Sequence, residues 1–222
     1  CTDWPAEVAE QIFITHGHFD HLMDIPELMC KGDYLVNCSD VAAENLISRS
    51  VDKSRINVIC AGQRIRVGSI EVHVMKGCHS RAGLRLILKT FLNYRVITRP
   101  GVVRELLKQH LAHPCGPVFA YHITLDGKEI LHLGSMDIDP ETRYPENVDL
   151  LMLPYQGCSD LLKQAMKIIK RIKPRSILLH HFDDSFPPIS RNVDTSGFIN
   201  IMKNEYPAIP VYSPRYNEVL NF

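Results

Sequence analysis

The feature that most constrains this chain is a cluster of histidine and aspartate directly after an apolar segment near its start. The segment EQIFIT is apolar and rich in β-branched residues, which predicts a buried strand. The stretch ITHGHFDH (14–21) then places His16, His18, Asp20 and His21 close together. Alternate residues of a strand point to the same side, so His16 and His18 can share one metal ion. The turn that follows brings Asp20 and His21 beside them, and imidazole and carboxylate ligands together suit Zn²⁺ or a similar divalent ion.

The arrangement His-x-His-x-Asp-His after an apolar strand resembles the signature of the metallo-β-lactamase superfamily of metal-dependent hydrolases. The resemblance implies an α+β fold, a four-layer αβ/βα sandwich with the metal ions at one edge of its two sheets. It also implies further ligands at the ends of later strands. These are a lone histidine after a run of strands, an aspartate after a hairpin, and a histidine that ends a late strand.

Two further histidines match the later positions that the resemblance implies. His79 stands in KGCHSRAG after a run of predicted short strands, and Ser80 follows it, as is common in the family. The late strand ILLHH ends in two histidines, and His181, directly before an aromatic residue and Asp183, matches the family pattern better than His180. Neighbouring residues of a strand point to opposite sides, so we expect His181 to face the site and its neighbour to face away.

The aspartate that bridges both metal ions in the family has no direct counterpart here. The family has Gly-Asp after a β-hairpin, whereas this chain reads HLGSMDID, with Ser135 in the aspartate position and Asp137 two residues later. Two residues along an extended chain keep the same facing direction, so Asp137 reaches the site if the chain bulges locally. The alternative is that Asp137 belongs to a surface turn beside Asp139 and Pro140.

The resemblance divides these residues between two metal positions. The ligands of the first ion are His16, His18 and His79. The ligands of the second are Asp20, His21 and His181, with Asp137 as the bridging ligand. Asp20 is also the expected catalytic residue, because its carboxylate orients the attacking water and handles its proton. Arg81 and Tyr155 are the expected substrate-binding residues, although the loop that holds Tyr155 has a purely structural interpretation as well.

Residues 81–113 form a basic insertion between His79 and a predicted hairpin. The insertion carries seven Arg and Lys residues and one Glu. Within it, PGVVRELLKQHL predicts an amphipathic helix that starts at Pro100, with an apolar side made of Val102, Val103, Leu106, Leu107 and Leu111. The insertion is either a helical cap with a solvated basic face or a lid whose Arg81 and Arg85 contact a phosphate or carboxylate of the substrate.

The remaining pattern predicts a single domain over residues 1–222. Three β-rich runs between 56 and 76, punctuated by glycine, predict a meander of strands. Asp126-Gly127 between two strand runs predicts a type I′ hairpin, and SDLLKQAMKIIKRIKP predicts a helix with Ser159 as its N-cap. Only 15 residues precede the first histidine, fewer than the family's opening strands need. We therefore expect N-terminal strands to be missing, because half a sheet would leave an apolar face exposed.

Composition narrows the cellular setting and the partners. Lys plus Arg and Asp plus Glu both number 25, so no overall field recruits nucleic acid or an anionic membrane. The seven cysteines are scattered without a CxxC pair, which argues against a disulfide framework and favours a reducing, cytoplasmic setting. The chain contains no apolar run of about 18 residues, so no membrane span is expected. No secretory signal opens the chain as written, and the oligomeric state is left open.

Together these features predict a metal-dependent hydrolase with one or two divalent ions, Zn first and Mn or Fe as alternatives. Its activated water would cleave a phosphodiester, a lactone or a related ester of a small, anionic molecule. The GCHS and HHFDD contexts are similar to the lactonase and phosphodiesterase branch of the superfamily. A nuclease of the tRNA-processing type is an alternative that the neutral charge disfavours. A non-catalytic, metal-stabilised protein is another, although structural zinc sites are normally closed by four ligands.

Overall fold

Two β-sheets of different size organise residues 10–80, 97–184, 191–215 and 218–220, which are the residues that the computed structural model describes. The smaller sheet has three parallel strands in the order β1-β2-β3, with β1 Gln11–Phe13, β2 Leu35–Cys38 and β3 Ile56–Val58. The larger sheet has seven strands in the order β10-β9-β8-β7-β6-β5-β4. These strands are β4 Arg64–Val67, β5 Ile70–Lys76, β6 Phe119–Leu125, β7 Lys128–His132, β8 Leu150–Pro154, β9 Ile177–His180 and β10 Val211–Tyr212.

Six α-helices and one short 3₁₀ helix are present in the described part of the chain. The α-helices are α1 Phe19–Leu22, α2 Ile25–Lys31, α3 Asp40–Ser48, α4 Pro100–Ala112, α5 Leu161–Ile172 and α6 Ser196–Glu205, and the 3₁₀ helix is Lys53–Arg55. Helix α3 is capped by Ser39, whose Oγ accepts a hydrogen bond from the Ala42 amide at 3.3 Å. Helix α5 is capped by Asp160 and not by Ser159 as predicted, because the Asp160 carboxylate accepts from the Lys163 amide at 3.0 Å.

Three apolar clusters hold the two sheets and their helices in four layers. The first cluster packs α1, α2 and α3 against the smaller sheet, with Leu22 and Leu46 fully buried. The second lies between the sheets, where Phe13 of β1 meets Tyr121 of β6 edge-on at 5.4 Å between ring centroids. The third and largest packs α5 and α6 against the other face of the larger sheet, with Ile168 and Phe198 at its centre. This order of layers is the expected αβ/βα sandwich.

The strands bear out one sequence prediction and correct another. The hairpin between β6 and β7 is confirmed, because Asp126 and Gly127 have φ values of 49° and 77°, both in the left-handed region that a type I′ turn requires. The predicted meander over 56–76 was wrong in its first strand, because β3 pairs with β2 in the smaller sheet and the chain then crosses to the larger one. Glycine punctuation marks the ends of strands but does not say to which sheet each strand belongs.

The predicted helix of the insertion is present as α4, but its predicted apolar side is largely solvent-exposed. Val102, Leu107 and Leu111 are 38%, 52% and 81% exposed. Residues 81–96, which include Arg81 and Arg85, lie outside the described residues, so the predicted lid and its basic contacts stay predictions.

Among the described helices, none combines the length and the apolar character needed to cross a membrane.

Backbone contacts join the carboxyl end of β1 to the start of β6 and the end of β7. The Phe119 amide donates to the Thr15 carbonyl at 2.8 Å, and the Tyr121 hydroxyl donates to the Ile14 carbonyl at 2.6 Å. A Cβ atom on Gly134 would lie 2.5 Å from the Phe119 carbonyl oxygen and 2.6 Å from the Thr15 Cβ, so this approach requires glycine. The two sheets therefore meet closely just before the histidine cluster.

Candidate metal centre

The predicted ligands come from four separate places that converge at one edge of the sandwich. His16 and His18 follow β1, and the short helix α1 carries Asp20 and His21. His79 follows the end of β5, and His181 comes directly after β9. Side chains at the ends of strands are well suited to build a site, because the sheet holds the backbone while the loops direct the groups.

Four of the converging residues form a set that we call group one: His16, His18, His79 and Cys115. Each offers one ligand atom, and these atoms all lie within 4.8 Å of one another. The Nε2 atom of His16 lies 3.1 Å from the Nδ1 atom of His18. The ring centroid of His79 lies 5.1 Å from that of His16 and 4.6 Å from that of His18.

Three further residues form group two: Asp20, His21 and His181. The Asp20 Oδ2 atom lies 3.7 Å from Nε2 of His21 and 3.5 Å from Nε2 of His181. The groups are direct neighbours, because the rings of His16 and His21 have centroids only 4.0 Å apart. Ligands on a tetrahedral ion at about 2.0–2.3 Å lie roughly 3.3–3.8 Å from each other, so the nitrogen and oxygen spacings here fit divalent ions.

Thr15 connects the two groups through one hydroxyl. Its Oγ1 lies 3.1 Å from Nδ1 of His16 and 3.3 Å from Nδ1 of His21. A hydroxyl oxygen has two lone pairs, so it can accept a hydrogen bond from both Nδ1–H groups. With both Nδ1 atoms protonated, both Nε2 atoms would be unprotonated and able to bind a cation, which is how outer hydrogen bonds commonly orient metal-binding histidines.

The loop of His79 is held by main-chain and serine contacts. Nδ1 of His79 lies 2.8 Å from the Ser80 carbonyl oxygen, to which it donates, and this leaves Nε2 to face group one. The Ser80 amide donates to Oγ of Ser135 at 3.0 Å, and the Ser80 hydroxyl donates to the Gly157 carbonyl at 3.3 Å. Ser135, which stands where the family has its bridging aspartate, therefore supports the loop of a ligand.

Helix α1 is held in place by the side chain of Arg49. Its Nη1 donates to the Leu22 carbonyl and its Nη2 donates to the Met23 carbonyl, each at 2.9 Å. A guanidinium at the C-terminal end of a helix satisfies carbonyls that have no partner inside the helix, and its charge complements the helix dipole. This contact fixes the helix that carries Asp20 and His21.

Burial keeps several of the imidazoles neutral and therefore able to bind a cation. Burial is the main cause that lowers the pKa of His16 far below its ordinary value, and the neighbouring histidines add to it. Burial and then His79 lower the pKa of His18 to about 4, and burial also lowers the pKa of His21. Burial raises the pKa of the Cys115 thiol to about 11.

His181 and its neighbour His180 have separate environments. His181 has φ of 54°, a left-handed backbone conformation that is uncommon for a residue with a side chain. His180 instead stacks on His132 inside the protein, with ring centroids 4.9 Å apart and an angle of 21° between the rings. The structure thus brings His181, and not His180, to the cluster.

Two of the predicted site residues lie elsewhere, and a third is not described. The Asp137 carboxylate accepts hydrogen bonds from Gln164 at 2.6 Å and Lys167 at 3.3 Å, both on α5. These partners hold Asp137 on the helix side of the sheet, so it joins neither group among the described residues. Tyr155 is 4% exposed and packs on Phe198 in the largest apolar cluster, and its role as a substrate contact stays a prediction. Arg81 lies outside the described residues.

The C-terminal end of α4 rests beside group one. The ring of His110 lies 5.5 Å from that of His18, and His113 meets Phe19 edge-on at 5.0 Å. Asn45 of α3 donates to the Ala112 carbonyl at 3.1 Å. The helix therefore places the exposed imidazole of His110 next to the metal positions, although its spacing from other histidines does not predict a ligand.

The family follows from a match over most of the chain. A family model described as a β-lactamase superfamily domain matches residues 5–182. The chain belongs to the metallo-β-lactamase superfamily. The recognition made from His-x-His-x-Asp-His is thereby confirmed, and the histidine cluster lies inside the matched region.

Known relatives of this superfamily member agree with that assignment. A protein of Archaeoglobus fulgidus named UPF0173 metal-dependent hydrolase is 24% identical over 193 residues, which are 85% of this chain and 72% of the relative. Igni18, a metallo hydrolase of Ignicoccus hospitalis, superposes with a TM-score of 0.62 and 16% identity, over 96% of this chain and 79% of Igni18. Zn²⁺-bound PqqB of Methylobacterium extorquens superposes with a TM-score of 0.57 and 9% identity, over 96% of this chain and 75% of PqqB. At such identities the solved structures confirm the fold alone.

Sequence reasoning missed two members of this superfamily site. Cys115 stands in HPCGP, a context without ligand spacing, and it is almost a hundred residues from His16. The sequence predicts Thr15 only as a strand residue, whereas its hydroxyl lies close to the imidazoles of His16 and His21. Gly17, between His16 and His18, was the available sequence signal for Cys115. A glycine there allows the segment that holds Cys115 to come close, since a Cβ would lie 2.5 Å from the Pro114 carbonyl oxygen.

Proposed function

We propose that this chain is a metal-dependent hydrolase that uses two adjacent metal positions to cleave a phosphodiester, a lactone or a related ester of a small anionic molecule. The observation that carries the proposal is the direct contact between group one and group two, whose histidines His16 and His21 have ring centroids 4.0 Å apart. Two ions held side by side are a common arrangement for hydrolysing such bonds.

The donors suit zinc better than other divalent ions. Group one offers three imidazole nitrogens and a sulfur, and group two offers two imidazoles and a carboxylate. Nitrogen and sulfur ligands favour Zn²⁺, while Mg²⁺ and Ca²⁺ prefer oxygen. Zn²⁺ in PqqB, a protein of the same fold, is consistent with this choice, and Mn or Fe are the alternatives.

When bound, a divalent ion lowers the pKa of a water molecule from about 15.7 towards about 7 and polarises the substrate oxygen. The chain supplies the remaining functions. Asp20 presents Oδ2 to the imidazoles of His21 and His181, which leaves Oδ1 to accept a hydrogen bond from the attacking water and take up its proton. Thr15 holds the rings of His16 and His21 in one orientation, so little reorganisation is needed during the reaction.

Helix α4 supports an anionic substrate. Its C-terminal end brings His110 to within 5.5 Å of the His18 ring, between centroids, and this imidazole is exposed to solvent. The described part of the insertion also carries Arg99, Arg104 and Lys108 against the single acidic residue Glu105. A positive surface next to the metal positions would attract phosphate or carboxylate groups.

A paired-variant assay tests this function. The purified chain is loaded with Zn²⁺ or Mn²⁺, its metal content is measured by mass spectrometry, and turnover is followed on chromogenic phosphodiesters, lactones and thioesters. We expect bound metal and turnover on at least one ester class. Asp20→Asn should reduce kcat by about 10²–10⁴-fold, the usual contribution of a general acid or base, with circular dichroism unchanged.

Asp33→Asn is the matched control, because the Asp33 side chain is fully solvent-exposed and lies in the loop before β2. It should keep the turnover of the parent chain. Bound metal without turnover on any ester class would contradict the proposal and favour a metal-stabilised, non-catalytic protein.

A further inference from the structure

The loop that carries Cys115 is held against the His-x-His motif by several separate contacts. The Gly17 amide donates to the Cys115 carbonyl at 2.8 Å. A Cβ on Gly17 would lie 2.5 Å from the Pro114 carbonyl oxygen and 3.2 Å from that of Cys115, so the residue between the two histidines must be glycine. The close approach of this loop is therefore built into the motif itself.

The chain is also fixed on the other side of the cysteine. Gly116 has φ of 61°, and a Cβ there would lie 2.7 Å from the Cβ of Val41 on α3. Three residues later the Phe119 amide donates to the Thr15 carbonyl, where β6 begins. The backbone of Cys115 is thus held beside the histidine motif through its contact with Gly17 and through the close approach at Gly116.

The sulfur lies among imidazoles that already point at one place. Sγ of Cys115 and the ligand atoms of His16, His18 and His79 lie within 4.8 Å of one another. Three of these four residues are the expected ligands of the first ion, and the fourth is a soft donor of the kind that zinc accepts. An apolar role alone would not require the sulfur to share this position with three ring nitrogens.

We propose that Cys115 is the fourth ligand of the first metal ion, so that group one is a closed site of three histidines and one cysteine. The inference rests on the proposed metal-dependent function. A bond from the Cys115 sulfur to the ion would form as the thiol releases its proton to solvent. Four protein ligands close a zinc site, whereas three leave a place for water. Group two, with Asp20, His21 and His181, is then the position where water and substrate enter.

This assignment gives the two ions different tasks. The four residues of group one would hold an ion that ties the loop after β1 to the loop before β6 and contributes to stability. Group two offers three ligands, including the carboxylate of Asp20, so an ion held there would have a coordination position left for water. Ser135 in place of the bridging aspartate agrees with this division, because no shared carboxylate then ties the two ions together.

Cobalt substitution tests the assignment without relying on activity. The full chain, freed of metal, is titrated with Co²⁺ alone while the absorption spectrum is recorded. We expect an intense near-ultraviolet band from thiolate-to-cobalt charge transfer together with visible bands. In Cys115→Ser the charge-transfer band should be lost while Co²⁺ still binds. The affinity for the first ion should fall by more than roughly 10–100-fold, which is the loss typical when a ligand loses only an outer hydrogen-bond partner.

Cys78→Ser is the control, because Cys78 adjoins the ligand His79 but belongs to neither group among the described residues. It should keep the band. Protection of Cys115 from alkylation by Zn²⁺, read by peptide mass spectrometry on the parent chain, gives a second measurement that needs no variant. Co²⁺ binding without a thiolate band, or a band that is lost in Cys78→Ser instead, would overturn the inference and leave the proposed hydrolase intact. Failure of the chain to bind Co²⁺ would overturn both.

Discussion

Removal of the Thr15 hydroxyl should weaken both metal positions at once. Oγ1 lies 3.1 Å from Nδ1 of His16 in group one and 3.3 Å from Nδ1 of His21 in group two. Thr15→Val deletes this acceptor and keeps the branched shape that packs against Gly134. Each imidazole is then free to rotate or to change its tautomer, so a smaller fraction of each histidine has the tautomer and orientation that bind a cation.

The expected size of the effect follows from the single contact that each histidine loses. Loss of an outer hydrogen-bond partner of a metal-binding histidine typically costs about 10–100-fold in metal affinity, or roughly 1.4–2.7 kcal/mol for each ion. The fold itself should change little, because the bond from the Phe119 amide to Thr15 uses the carbonyl oxygen, which remains. A hydrogen bond typically contributes only about 0.5–1.5 kcal/mol to the free energy of unfolding.

Competition against a chromophoric zinc chelator measures both dissociation constants. Both should rise in Thr15→Val, and Thr15→Ser should restore them, since serine keeps the hydroxyl. Thr124→Val is the matched control, because Thr124 lies on β6 away from the two groups and should leave both constants unchanged. If Thr15→Val binds both ions as tightly as the parent chain, the hydroxyl does not orient the imidazoles and the tautomer argument is refuted.

Two further predictions concern stability. Gly17→Ala should lower the free energy of unfolding, measured by urea titration, by about 1–3 kcal/mol, because the new Cβ clashes with the Pro114 carbonyl. Gly101→Ala is the control, because the space around its Cβ in α4 is open. In the same titration it should be neutral or stabilising by up to about 1 kcal/mol. Desolvation of the half-buried His132 imidazole lowers its pKa to about 4, so the unfolded chain takes up its proton first and stability falls as pH drops from about 6.5 to about 4. In metal-free protein, His132→Gln should reduce the stability lost between about pH 7 and pH 4.5 by about 2–3 kcal/mol, and an unchanged loss would contradict this burial argument.

Local patterns made much of this molecule predictable. The spacing of His16, His18, Asp20 and His21 depends on one strand end and one turn, which is why six consecutive residues suffice to suggest a metal site. The left-handed φ values of Asp126 and Gly127 are ones that aspartate tolerates and that glycine adopts freely because it lacks a Cβ, so the hairpin could be predicted without any tertiary contact. In both cases the physical cause lies within a few residues of its effect.

Contacts between distant segments set the features that the sequence left unresolved. Strand β3 has the same β-rich composition as its neighbours, and only its pairing with β2 assigns it to the smaller sheet. Alternation along the strand predicts that Asp137 faces the site, but Gln164 and Lys167 of α5 bind its carboxylate on the helix side of the sheet. Alternation along a strand predicts which residues share a face of the sheet. It does not predict which hydrogen-bond donors a packed helix presents to those residues.

The relative positions of the ligand atoms in the metal centre depend on how closely the backbones of the two sheets approach, more than on the ligand residues alone. Gly17 and Gly134 allow this approach from opposite sides, since a Cβ on either would lie 2.5 Å from a carbonyl oxygen of the neighbouring chain segment. Between them stands Thr15, whose carbonyl binds the larger sheet and whose hydroxyl reaches a histidine of each group. A side chain at either glycine would separate the sheets, shift Thr15 and misalign both groups together. The two metal positions are therefore coupled through the backbone, and their affinities should change together whenever this junction is disturbed.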